Sequence, residues 1–159
     1  MAETVATTLE NPILSSLILI PILGQLVRID LRQHRLPDRY TLPLICVGLA
    51  TNALAQRALP TEAIWGAIIG YVVFWLIGAV YFRSRGQEGL GLGDAKLLSA
   101  AGAWVGVFAL PWVVLLSALG ALGYAVLSGH GRQERLAFGP WIAGALLLIW
   151  LGKGLFSEI

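Results

Sequence analysis

Apolar and polar positions alternate along this chain in long blocks rather than residue by residue. Six blocks are apolar enough to be read as helices crossing a bilayer: residues 12–29, 40–59, 62–82, 95–110, 111–127 and 136–156. A spanning helix needs roughly 20 mostly apolar residues, because the hydrocarbon layer is about 30 Å thick. The fourth block is the shortest. The fourth and fifth run together as one stretch, 95–127, too long for a single crossing. Pro111 is the expected break, since proline lacks an amide proton and disfavours helix at the residue before it. The pattern therefore predicts an all-α polytopic membrane protein, a bundle of about six transmembrane helices. Residues 1–159 are expected to form one integral-membrane domain.

Composition sharpens this picture. The chain is 57% hydrophobic and only 13% charged, with mean hydropathy +0.77, whereas soluble domains carry about 25% charged residues. No removable signal peptide is expected, since the N-terminus is acidic and has no basic region before the first apolar block. With its N-terminus outside, the chain would place Arg28, Arg32, Arg35, Arg39, Arg83, Arg85, Lys96, Arg132 and Arg135 inside, against Arg57 and Lys153 outside. The positive-inside rule favours that orientation, and the basic clusters point to topology rather than to nucleic acid. Cys46 is the sole cysteine, so neither an internal disulfide nor a CxxC zinc pair can form. Glycines recur four apart at Gly66/Gly70 and Gly102/Gly106, and Gly120 and Gly123 lie close together. Such spacing suits close helix packing within one bundle, with a homodimer as the second reading.

Chemistry concentrates in two polar stretches. In "VRIDLRQHRLPDRYTLPL", residues 27–44, Asp38 follows a proline and precedes an apolar run, where a helix N-cap belongs. Asp30 has no such local duty. In "EGLGLGDAKLLSAAGAWVG", residues 88–106, Gly86, Gly89, Gly91 and Gly93 lead into Asp94, which caps or opens the next helix. Gly91 and Gly93 would let an extended chain approach the backbone, and Lys96 is grouped with them by proximity alone. No GxxxxGK[ST] pattern marks a phosphate loop, no HExxH marks zinc, and nothing places His34 or His130 in a serine triad. Two carboxylates remain, Asp30 and Asp94, both expected at the inner membrane face. Two such groups sharing a site cannot both ionise easily, so one can activate water while the other donates a proton.

"DLRQHRLPDRYTLPL" and "EGLGLGDAKLLSAAGAWVG", with the later "LAFGPWIAGA" at 136–145, resemble the type IV prepilin peptidases, membrane aspartic proteases of the GxGD type. The ordered blocks D-x5-LPD-x2-TLPL, G-x-G-D-x-K-L and FGP cover roughly 27–145. The resemblance implies that Asp30 and Asp94 are the catalytic pair, 94 − 30 = 64 positions apart. It also implies that Asn is accepted at Asp38, as a cap allows. The implied activity is removal of a short basic leader from prepilin or pseudopilin precursors at the cytoplasmic membrane face, without cofactor or metal. Many bacterial members carry paired CxxC motifs linked to N-methylation. With Cys46 alone, this chain is expected to be a peptidase-only form that uses no S-adenosylmethionine. The competing class is a small transporter or assembly subunit, in which intramembrane carboxylates mark an ion path.

Overall fold

The computed structural model describes residues 12–33, 35–85, 91–128 and 137–156, which form six α-helices and no strand. These are α1 (Pro12–Gln33), α2 (Asp38–Gln56), α3 (Thr61–Arg85), α4 (Leu92–Val105), α5 (Leu110–Leu127) and α6 (Gly139–Phe156), with one 3-10 turn (Val107–Ala109) between α4 and α5. Each apolar block corresponds to one helix. Among the described residues two helical stretches are long and apolar enough to cross a membrane, Thr61–Arg83 and Val107–Leu127, and only 28% and 22% of their most apolar 18-residue windows is buried. Their outward faces are thus apolar, with Trp65, Val72, Leu76 and Val80 on α3 and Trp112, Leu119 and Val126 on α5 all exposed. A soluble protein seldom leaves so wide an apolar surface open to water.

α4 is the central post. Ala95 and Leu97–Val105 are all buried, and the helix packs against α3, α2 and α6. Trp104 lies in this core rather than at an interface. Its indole Nε1 donates to the Leu44 carbonyl at 2.9 Å, and its ring stands edge-on to Trp150, with centroids 5.0 Å apart. Gly48 makes room for it, since a Cβ there would lie 2.5 Å from the indole. Asn52 Nδ2 donates to the carbonyls of Ala103 and Trp104, and Lys153 donates to that of Val105. The last carbonyls of α4, which have no partner within the helix, are satisfied in this way.

The break in the 95–127 run is at Gly106 and not at Pro111. Gly106 takes φ +81°, a left-handed conformation that residues with a Cβ adopt only under strain. Pro111 instead sits in the first turn of α5, where a missing amide proton leaves no bond unmade.

The glycine pairs lock α3 to α4. A Cβ on Gly66 would lie 2.5 Å from the Gly102 carbonyl oxygen, one on Gly102 2.1 Å from the Gly66 carbonyl oxygen, and one on Gly70 2.7 Å from that of Leu98. These neighbours are backbone and cannot rotate aside. Gly102→Ala is therefore expected to destabilise the protein by about 1–3 kcal/mol or to prevent its accumulation. Gly123→Ala, with nothing within 4 Å of the new methyl, should match or slightly exceed wild-type thermal stability. Equal melting temperatures for the two variants would refute the backbone contact.

Candidate active site

Leu19, Leu23, Leu26 and Asp30 fall on one face of α1, and all four are buried. The carboxylate thus ends an apolar stripe instead of pointing to water, because α1 runs on past Ile29 to Gln33. Asp30 is 5% exposed, and its Oδ2 accepts a hydrogen bond from the Gly139 amide at 3.1 Å. Gly139 is the first residue of α6, so the bond comes from a helix N-terminus, the end that favours negative charge. The glycine is needed there, because an added Cβ would lie 2.5 Å from the same oxygen.

Asp94 lies in the first turn of α4, ahead of the apolar stretch that begins at Ala95. The cap position belongs to Gly91, and the Asp94 amide donates to the Gly91 carbonyl at 3.0 Å. Burial, aided by the charge of Asp30 and opposed by a backbone hydrogen bond at Gly91, pushes the Asp94 pKa up to about 6. Both aspartates line one cleft of about 970 Å³, at the upper end of ligand-pocket sizes. Phe74, Trp75, Gly78, Ala79 and Phe82 of α3 form its apolar wall. Two carboxylates at one desolvated place can divide a proton between them. Among the described residues no cluster of three or more metal-ligating side chains occurs.

The other expected site residues turn out differently. Asp38 does not cap α2: Pro37 occupies the cap position without a side-chain bond, and Asp38 is the first helical residue. Its Oδ1 accepts from Lys96 Nζ at 2.5 Å, so Lys96 contacts Asp38 within the chain. Gly91 borders the cleft and has ordinary extended geometry, φ −71° and ψ 142°, so its backbone does not require glycine. Gly93 also borders the cleft and is half-buried, but a Cβ there would lie 2.9 Å from Leu36 Cβ. Of the two glycines, Gly93 alone has a neighbour that a side chain would meet closely. Accordingly, Gly91→Val should fold normally yet lose turnover, whereas Gly93→Val should lower the melting temperature as well. The comparison needs only a thermal scan and a cleavage assay on each variant.

Gly139 was not singled out from sequence, although it lies in the FGP block. Leu36 likewise carried no chemical signal. His34, Gly86, Gly89 and His130, with Arg132 and Arg135, lie outside the described residues.

The type IV leader peptidase family profile matches residues 17–126. The prepilin leader peptidase/N-methyltransferase of Aeromonas hydrophila is 43% identical over 143 residues, 86% of this chain and 49% of that protein. The one from Escherichia coli (strain K12) is 43% identical over 118 residues, 72% of this chain and 52% of its own length. That of Burkholderia pseudomallei (strain K96243) is 45% identical over 119 residues, covering 72% and 38%. The chain spans about half the length of the first curated relatives it matches. No solved structure matches.

Proposed function

The chain belongs to the type IV leader peptidase family, and from that premise we propose that it is an aspartic endopeptidase. It would remove the short leader from prepilin or pseudopilin precursors, with Asp30 and Asp94 as its catalytic pair. One observation carries the reading. Two carboxylates from helices far apart in sequence line a single cleft, and the charge of one raises the pKa of the other.

The chemistry follows from their surroundings. Negative charge in the pair is better supported on Asp30, which has the Gly139 amide at a helix N-terminus, than on Asp94, which burial disfavours as an anion. Asp30 then takes a proton from water as the water oxygen bonds to the scissile carbonyl carbon. Asp94 gives its proton to the carbonyl oxygen, and a neutral gem-diol results. In collapse, Asp30 hands its proton to the departing nitrogen, the C–N bond breaks, and one diol proton returns to Asp94. Both groups end as they began, as general acid–base catalysis requires.

Six bilayer crossings and an inner-membrane location complete the proposal, with the N-terminus outside and the aspartates at the cytoplasmic face. The excess of Lys and Arg on the inner side supports that orientation. Of the two readings of the paired glycines, packing within one chain is the one that the Gly66–Gly102 contact supports. The relatives' names include an N-methyltransferase; the proposal for this chain is confined to leader cleavage. A transporter is not favoured by the family match.

The test is mass spectrometry of a prepilin incubated with the purified chain in lipid vesicles. The expected products are a free leader and a pilin with one new N-terminus. An intact precursor, under conditions in which the Aeromonas hydrophila relative cleaves it, would rule the activity out.

A further inference from the structure

Two contacts join the same pair of segments near the cleft. Leu36, just before α2, is buried over Gly93, just before Asp94. Two residues further along, Asp38 accepts from Lys96. One contact is apolar and the other ionic, and together they hold residues 35–37 on the start of α4. We propose that the Lys96–Asp38 ion pair is a clasp that seats this connector on α4 and so keeps water from Asp94, making both residues positioning residues for the acid.

Three observations support it. The pair is partly exposed, with side chains 27% and 57% accessible, and exposed pairs add little to stability, so its role is better sought in geometry. The connector lies at the site itself, since Arg35, Leu36 and Pro37 line the same cleft as Asp94. Lys96 is also poorly placed to pair with Asp94, since residues two apart on a helix do not face each other. The charged groups lining the cleft around Asp94 are Asp30 from α1, Arg35 from the connector, Asp38 from α2 and Lys96 from α4. Among the described residues, α3 contributes no charge to that lining. The described charge of α6, Lys153, bonds at the far end of α4.

A clasp and a simple charge effect predict opposite signs. If Lys96 and Asp38 acted only by their charges, removing the cation would raise the Asp94 midpoint and removing the anion would lower it. If they act as a clasp, either loss lets water reach Asp94 and lowers the midpoint. The experiment follows the Asp94 carboxyl infrared band, identified by its absence in Asp94→Asn, as pH is varied in wild type, Lys96→Met, Asp38→Ala, the double variant and Lys96→Arg. Lys96→Met and Asp38→Ala should each move the midpoint down by about one unit, roughly tenfold in proton affinity. The double variant should move it no further, and Lys96→Arg should stay near wild type. Opposite shifts, no shift, or additive shifts overturn the clasp. The consequence for turnover rests on the proposed function, but the titration needs no substrate. Absent cleavage with the predicted shifts would sink that function and leave the clasp standing.

Discussion

Asp94→Asn is expected to abolish leader cleavage while yielding a protein harder to unfold at neutral pH than wild type. Loss of activity follows because Asn cannot give and recover a proton at the carbonyl oxygen; a fall of at least about a thousandfold is expected, within the range for acid–base groups. Asp30→Asn should fall as far, and the double variant little further, because the two act as a unit. The gain in stability follows from the Asp94 pKa, raised from 3.8 to about 6. Well below pH 3.8 the group is protonated in both folded and unfolded chains and has no net effect. Between 3.8 and 6 the unfolded chain ionises first, so stability falls as pH rises through that window. Above 6 the penalty is complete, at most about 3 kcal/mol at 1.36 kcal/mol per unit. Asn carries no charge and escapes it. Melting temperatures in detergent should therefore separate at pH 7.5, Asn above wild type, and converge near pH 3. A lower melting temperature for Asp94→Asn at pH 7.5 would contradict the desolvated site, and persistent cleavage would contradict the dyad.

Gly139→Ala is the second large effect expected, at a residue without reactive chemistry. The new methyl would lie 2.5 Å from Asp30 Oδ2 and 3.0 Å from its Cγ, so the carboxylate must move or α6 must back away. Either change lengthens the bond from the Gly139 amide. A displacement near 1 Å of a catalytic group can lower turnover by about a hundredfold, and kcat is expected to fall by that order with KM little changed. The ionic and apolar contacts elsewhere in the fold are untouched, so the variant should still accumulate and melt cooperatively. Wild-type kcat in Gly139→Ala would show that the amide does not hold Asp30 in place.

Much of the fold was legible because helices in lipid announce themselves by apolar length, and six blocks became six helices. Boundaries were less legible where a short-range rule had two applicants. Pro111 and Gly106 both break helices in principle. Proline is harmless in a first turn, however, whereas a φ of +81° calls for glycine. Asp30 stood out as a carboxylate at the end of an apolar run with no local duty, and Asp94, which by itself also suits a helix cap, stood out only when paired with it. The Lys96–Asp38 pair could not be seen, since 58 positions separate its members and no periodicity links them. Local rules assigned Asp38 to a cap, and the tertiary partner took it instead. Gly139 was hidden for the same reason: its amide and its missing Cβ matter only once α6 meets α1.

The backbone contact of Gly66 with Gly102 also constrains motion. α3 carries the apolar wall of the cleft, α4 carries Asp94, and their backbones approach so closely at these glycines that a side chain would not fit between them. Wall and acid are therefore expected to move together. Under the proposed function, the widening that admits a polypeptide would come from the other side of the cleft, where α1 brings Asp30 and Leu36 lies over Gly93. Entry of the substrate and assembly of the catalytic pair would then be the same movement.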